Sequence, residues 1–380
     1  MKVHSLLSIC ALVVLSQSAL ANIALTDAES PVQVSAGGYL KLDMIYDLDG
    51  NRNKNQFLMS GISVEGDPDY NSGSYFSMHA RESRFNVDVK RNIDGSEQRF
   101  HIEMDFYDES SNSPRLRLFY FQKDEFIFGQ YWTNITDLNA IPYFIDFAFG
   151  EALYGGRRNQ IRWTKKLSES LTYAASIEEP TNTNIDNPFN LSGSEQSKIP
   201  VLTSRLSYLF DQGHINLAGE VMELYWEGIN QTPDDSAMAW VLSLSGRYKL
   251  FNEHDARVAI THGDGTAKGV LGLAGRGSGA NLTLDGKIDT DRHTTIAVSY
   301  THNFTSVLNS TLGYAWLNVT PSYQRDEADI EKSAIAHLNV LYQYDKHIDM
   351  GIEYMLGDRI NINEKEGRGR RVQAMVRYTF

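Results

Sequence analysis

The chain has 380 residues, with 35 Lys and Arg against 48 Asp and Glu, a formal net charge of -13, and 42% hydrophobic and 11% aromatic residues. This apolar content excludes a disordered chain, which buries too little apolar surface to offset its conformational entropy. The acidic balance argues against a nucleic-acid partner, whose protein face is basic. The single cysteine, Cys10, excludes a disulfide within the chain and a thiolate metal site.

The N-terminus carries the parts of a secretory signal peptide. A positive start, an apolar run over residues 6–15 and the A-x-A site Ala19-Leu20-Ala21 predict cleavage after residue 21. Residues 22–31 then form a short N-terminal segment. One uniform sequence pattern continues over residues 32–380 without a Pro-rich or Ser-rich linker, which favours a single large domain.

The sequence pattern of residues 32–380 is an alternation of apolar and polar residues. Phe100, Ile102, Met104 and Phe106 fall on one side of an extended chain, and the residues between them are polar. A helix would scatter these apolar residues around its circumference, whereas a strand aligns them. Sixteen segments of this kind follow one another, so the predicted fold is all-β.

The connections between these segments alternate in length. Residues 134–157 and 358–368 are examples of long odd-numbered connections, whereas residues 92–96 and 345–346 are examples of tight even-numbered ones. A soluble β-sandwich has no reason to sort its loops in this way, but a transmembrane barrel has short periplasmic turns and long external loops. We therefore predict a sixteen-stranded transmembrane antiparallel β-barrel with both termini at the periplasmic rim.

Aromatic residues provide a second indication of a membrane barrel. Tyr46, Trp132, Trp163 and Trp240 lie near predicted strand ends, where an apolar ring and a polar tip are both satisfied at the edge of the hydrocarbon. The alternative is that they are core aromatics of a soluble β-protein. Together with the signal peptide and the loop lengths, their position favours the cell outer membrane of a Gram-negative bacterium.

Several short motifs resemble those of one family of outer-membrane proteins. They are Gly37 to Asp43, Arg81 to Phe85, Phe128 to Thr133, and Gly351 to Tyr354 with Gly357. The terminal strand, Val372 to Phe380, resembles more generally the insertion signal of bacterial outer-membrane barrels. The sequence resembles the DcaP-like family of trimeric outer-membrane porins. This resemblance implies a homotrimer in contact with outer-membrane lipid and lipopolysaccharide, with a preference for small anionic solutes such as dicarboxylates. Family members often carry an N-terminal coiled coil, whereas here only residues 22–31 separate the signal site from the first strand.

The polar faces of the strands predict the chemistry of the lumen. If apolar side chains face lipid, the lumen receives an excess of basic residues, which would concentrate anions. The predicted pore-lining residues are Arg84, Arg115, Arg117, Arg158, Arg162, Arg205, Glu103 and Asp105. Their guanidinium groups suit carboxylate or phosphate oxygens. The alternative is a solvated wall in which Glu103 and Asp105 neutralise the arginines and no binding site forms.

The third long loop, residues 134–157, is too apolar for an external loop in water. We expect it to fold into the wide lumen and to form a constriction, with Tyr143 packed against the wall. Asp137, Asp146 and Glu151 are then expected near the pore. The alternative is that residues 144–149 form a contact between subunits.

No motif predicts catalysis. The sequence lacks H-E-x-x-H and G-x-S-x-G, and the Gly-rich residues 272–279 lack the Lys-Ser/Thr of a phosphate loop. We therefore predict no catalytic residue, no cofactor and no metal site. Two alternatives to an anion-favouring porin stay open: an outer-membrane barrel hydrolase acting on lipid or peptide, and a general porin without anion preference.

Overall fold

The structure is a computed structural model, and it describes residues 22–70, 73–107, 113–148, 152–180, 184–251, 253–273, 279–321 and 326–380. The predicted signal peptide and Glu151 therefore lie outside the described residues. No helix within these ranges is long and apolar enough to cross a membrane.

Sixteen antiparallel strands of the described residues close into a barrel. Each strand pairs with the next along the chain, and the last pairs with the first, with Tyr39 opposite Thr379. Closure leaves no unpaired sheet edge in the hydrocarbon, and the predicted sixteen-stranded barrel is confirmed. Strands β1 to β16 are Val32–Asp49, Arg84–Ile93, Ser96–Asp105, Arg115–Lys123, Phe126–Trp132, Arg157–Lys166, Leu171–Glu178, Val201–Phe210, Gly213–Gly228, Asp235–Leu250, His254–Asp264, Arg292–Asn303, Leu308–Thr320, Ile330–Gln343, Ile348–Asn361 and Glu366–Thr379.

Short turns join the strands at the predicted periplasmic rim. Between β2 and β3, Asp94 and Gly95 both have positive φ values, 52° and 84°, as a two-residue hairpin of type I′ requires. At the opposite rim, the predicted long connection 358–368 is wrong, because only residues 362–365 separate β15 from β16. The charged residues there belong to paired strand ends, and Arg368 Nε donates to Asp358 Oδ1 at 2.7 Å.

The second strand is interrupted at one level of the barrel wall. A separate segment, Tyr75–His79, pairs with residues 43–47 of β1, and β2 itself pairs with residues 32–39. Between the two segments the chain turns inward, which leaves the Glu82 side chain buried against Lys41. This interruption brings a carboxylate to the inner side of the wall.

The two faces of the strands have opposite chemistry. In β10, Leu242 and Leu244 are 55% and 48% exposed, whereas Ser243 and Ser245 between them are buried. Apolar residues that point outward and polar residues that point inward are the pattern of a membrane barrel. The exposed leucines therefore face lipid.

Three connections pack inside the barrel: loop 1 (residues 50–74), loop 3 (133–156) and loop 6 (265–291). Many of their described apolar residues form one cluster with inward side chains of β9 to β15, and Ala280 and Leu282 of loop 6 belong to a second cluster. The first cluster contains Phe57, Met59, Ile62, Ile135, Ile141, Ala152, Leu153, Tyr154, Ala218, Val241, Ala259, Ala267, Val270, Leu273, Ala297, Ala315, Leu317, Val319, Ile330, Ile335 and Met355. We call the inner faces of β9 to β15 the apolar half of the lumen and the inner faces of β2 to β6 the basic half.

Candidate functional site

A bulge in β4 brings two arginines to the inner face of the barrel. The pairing of β3 with β4 shifts register after Glu103, so that residue 103 pairs with 118 and residue 104 with 116. The extra residue lets both Arg115 and Arg117 bond to inward carboxylates of β3, as a bulge re-aims side chains. Arg115 donates to both oxygens of Asp105 at 2.9 and 2.8 Å.

Arg117 and Arg84 complete this charged group. Arg117 donates to Glu103 at 2.6 Å and to Asp105 at 2.7 Å, and Arg84 Nη1 lies 4.0 Å from Glu103 Oε1. Three guanidinium groups face two carboxylates in this group, and Glu82, buried beside Lys41, also acts electrostatically on Arg84. The carboxylates hold the arginine forks in fixed positions.

A small cavity of about 200 Å³ lies beside these arginines. Strand β4, the end of β5 and the start of β6 contribute one side, and all three inward loops contribute the other. The lining residues are Gln56, Leu58, Arg115, Arg117, Trp132, Phe147, Ala148, Gly156, Arg157 and Leu271. Arg157 is a third arginine at this cavity that the strand pattern did not single out. The consecutive arginines at 157 and 158, next to Gly155 and Gly156, are the signal that could have drawn attention to it.

Arg158, which the sequence did predict to line the pore, is bound to carboxylates of the nearby strands β7 and β9. Its Nη1 donates to Glu220 at 2.9 Å and lies 3.5 Å from Glu178. The Tyr154 hydroxyl of loop 3 donates to the other Glu220 oxygen at 2.9 Å. Both carboxylates are buried. Arg158 therefore fastens the end of loop 3, and its charge is neutralised there.

Arg162 and Arg205 lie under the beginning of loop 3. Arg162 donates to the Trp132 carbonyl and stacks 5.1 Å from the Tyr131 ring centre. Arg205 Nη1 lies 3.4 Å from the Thr136 carbonyl. Within the described ranges, neither arginine forms a salt bridge with a carboxylate. Arg162 and Arg205 therefore each add positive charge to the part of the barrel wall that faces the beginning of loop 3.

Asp137 fastens the beginning of loop 3 to the barrel wall. Its carboxylate accepts hydrogen bonds from the Ser245 hydroxyl at 2.8 Å and lies 2.8 Å from His214 Nε2. Burial alone would raise the pKa of Asp137, but the His214 and Ser245 contacts outweigh it and hold this pKa below its usual value. The Asp137 carboxylate is therefore charged and remains bonded to side chains of the barrel wall.

Asp146 ties loop 1, loop 3 and the wall together. Its oxygens accept from the backbone N–H groups of Phe57 at 3.1 Å and Ala148 at 2.9 Å. Arg371 of β16 lies 3.3 Å from the same carboxylate and donates to Asp47 at 2.9 Å. The Asp146 and Arg371 side chains have no exposed surface. Asp146 thus acts as an anchor for both loops.

The middle of loop 3 is fastened by further contacts. The Tyr143 ring lies 3.9 Å from the Arg257 guanidinium, and the Glu353 carboxylate accepts from the Ile145 N–H at 2.8 Å. Phe147 stacks on Tyr107 at 4.0 Å between ring centres. Glu151 lies outside the described residues. Loop 3 is thereby fixed across the lumen from both ends and from its centre.

In the residues that the structure describes, no three His, Cys, Asp or Glu side chains lie close enough together to hold a metal ion. The charged groups of the lumen instead form ion pairs with one another and bonds to loop backbone. Such a wall can attract, orient and release small ions.

The model of the DcaP outer membrane protein family matches residues 9–380. The chain belongs to the DcaP outer membrane protein family. It is accordingly a barrel of the porin and channel class in the outer membrane of a Gram-negative bacterium. Among curated proteins, no sequence is a significant match.

Solved structures share the fold of this DcaP-family chain. The outer membrane channel DcaP of Acinetobacter baumannii is 21% identical, with a TM-score of 0.83, and the match covers 94% of this chain and 100% of that one. An anion-selective porin from Comamonas acidovorans is 12% identical, with a TM-score of 0.61 and coverage of 92% and 100%. OmpT of Vibrio cholerae in its trimer form is 13% identical, with a TM-score of 0.55 and the same coverage.

Proposed function

We propose that this DcaP-family protein is a passive diffusion channel that favours small anions such as dicarboxylates, and that it acts as a homotrimer without enzymatic activity. The proposal rests on the uneven distribution of charged and apolar side chains over the inner wall of the barrel. The buried apolar residues of loops 1, 3 and 6 pack on the apolar half, and we assign the passage of solutes to the basic half. A passage lined mostly by one sign of charge raises the local concentration of the opposite ion.

The basic half offers an anion several successive contacts. Arg115, Arg117 and Arg157 line the cavity beside loop 3, Arg162 follows on the inner face of β6, and Arg205 lies just beyond the basic half on β8. Each charge-assisted hydrogen bond is worth about 1.5–3 kcal/mol before desolvation is subtracted. Conduction requires contacts of this kind to be shared among sites, because a solute held by one strong site cannot leave.

The relatives support this proposal at the level of the fold. The Comamonas acidovorans porin is described as anion-selective, and the Vibrio cholerae OmpT barrel has been solved in a trimer form. Lipid and lipopolysaccharide are the expected neighbours of the exposed apolar face.

The test is the reversal potential of single channels in a salt gradient across a planar bilayer. The wild-type channel should prefer anions, and the preference should weaken as salt rises, because charges are screened within about 10 Å at 0.1 M. Replacing Arg115 and Arg117 together with Ala should lower the preference. Arg368→Ala, at an exposed strand end, is the matched control and should not change it. A cation-selective wild-type channel would contradict the proposal.

A general porin without anion preference is the second candidate. The pairing of Arg115 and Arg117 with Asp105 and Glu103 favours it, because paired charges produce a weaker field than isolated ones. In that case the double variant should conduct and select like the wild type. The same measurement therefore separates the two candidates.

A further inference from the structure

Arg157 occupies a position in the basic half that differs from that of its neighbours. It begins β6 opposite Trp132, the last residue of β5, and its guanidinium lies 5.2 Å from the Trp132 ring centre. Stacking on the indole fixes the plane of the fork without using its N–H donors. At least Nη1 therefore stays available to another group.

The charge of Arg157 is not neutralised by the described residues. No salt bridge joins it to a carboxylate in the described ranges, and its Nη1 is buried without a hydrogen-bond partner among them. A buried donor without a partner is costly unless something else accepts from it. By contrast, Arg115 and Arg117 already bind Asp105 and Glu103.

The cavity shared by these three arginines suits a short molecule with a negative charge at each end. Arg157, Arg115 and Arg117 supply positive charge, and Phe147 and Leu271 supply apolar surface along the wall. A volume of about 200 Å³ is below the range of drug-sized sites, which begins at roughly 300 Å³. The space thus favours a small solute with a short carbon body.

We infer that Arg157 is the residue that makes the channel prefer dianions over monoanions. One carboxylate of the solute accepts from Arg157, while the other lies against Arg115 and Arg117. A monoanion contacts Arg157 or the Arg115 and Arg117 pair, whereas a dianion contacts both at once. This inference rests on the proposed function, because it requires that anions pass through the basic half.

The test uses the full chain in planar bilayers, with potassium succinate as the dianion and potassium acetate as the monoanion. Arg157→Gln should lower the permeability of succinate relative to acetate by about tenfold, the scale of one lost charge-assisted hydrogen bond. Arg157→Lys keeps the charge and loses the planar fork, so it should retain anion preference and lose only part of the succinate preference. Arg368→Gln, at an exposed strand end, should match the wild type.

The outcomes distinguish this inference from the proposed function. If the wild-type channel shows no anion preference, the proposed function fails and the inference fails with it. If the wild type prefers anions but Arg157→Gln keeps the wild-type succinate-to-acetate ratio, only the inference is overturned. If Arg157→Gln does not fold into a heat-resistant barrel, Arg157→Lys decides, and an unchanged ratio in that variant counts against the inference.

Discussion

The two halves of the lumen differ in what their inward side chains bind. In the basic half, Arg84, Arg115 and Arg117 bind carboxylates of the adjacent strand. In the apolar half, Leu317 and Ile335 have no exposed surface and pack against the loops. One side of the lumen thus carries mainly charged side chains, whereas the other adds a hydrophobic core for the loops to buried charged anchors such as Glu220, Arg257 and Glu353.

This difference shows how a porin can narrow a wide barrel without closing it. A sixteen-stranded barrel encloses a broad lumen, and apolar loops in water would be unfavourable unless they found an apolar surface. The apolar half provides that surface. The apolar residues of the loops therefore pack on one side, and the position of the passage is expected to follow from which strands carry apolar inward residues.

The largest effect is expected from the anchor that holds two loops between the halves. Asp146→Ala removes the acceptor for the Phe57 N–H and one partner of Arg371, and breaking a buried pair costs about 3–5 kcal/mol. Loops 1 and 3 should then loosen, so the single-channel conductance should rise and its noise should increase. Asp358→Ala, which breaks an exposed pair, is the matched control and should leave both unchanged. Equal conductance in the two variants would show that Asp146 does not hold the loops.

The apolar half can be weakened directly at Leu317. Leu317→Ala removes a fully buried side chain beneath the loops, which should cost about 2–5 kcal/mol. The temperature at which the folded, fast-migrating form is lost on a gel should fall, while ion selectivity stays that of the wild type. Leu244→Ala, on the exposed outer face, is the control. A change of selectivity in Leu317→Ala would mean that the two halves are not separate in function.

A smaller effect is expected from crowding loop 3 at β13. A Cβ atom added at Gly313 would lie 2.1 Å from Cζ of Phe144, and overpacking costs about 1–3 kcal/mol. Gly313→Ala should push loop 3 towards the basic half and lower the conductance. Adding Phe144→Ala should restore it, because the clash is removed. A double variant that conducts like Gly313→Ala alone would contradict this account.

The smallest effect concerns the pH dependence of the Asp137 anchor. The folded pKa of Asp137 lies below its usual value, so its stabilising contribution is complete above the unfolded pKa of about 3.9. This contribution is lost only as the pH falls through the lower folded pKa. Asp137→Asn should therefore increase conductance noise relative to the wild type at pH 7 and at pH 5 alike. A difference that disappears between pH 7 and pH 5 would contradict the sign of the shift.

Part of this arrangement was predictable because it depends on local sequence. The alternation of Phe100, Ile102 and Met104 with polar residues fixes a strand whatever surrounds it, and sixteen such strands in lipid must close into a barrel. The prediction of a long connection at 358–368 was wrong because it too relied on local sequence alone. Charged residues in a row indicate a loop, yet Asp358 and Arg368 form an ion pair across neighbouring strand ends.

The sequence alone determined the barrel, its membrane and the residues that form its strands, since a period of two is a property of neighbouring residues. Only the tertiary structure decided which arginines find a carboxylate partner among the described residues. Arg157 and Arg158 are adjacent in the chain, but the path of loop 3 brings Glu220 to Arg158 and leaves Arg157 at the cavity. The inward position of Leu317 likewise follows from packing against distant loops. These outcomes depend on contacts between residues far apart in sequence, which no local pattern records.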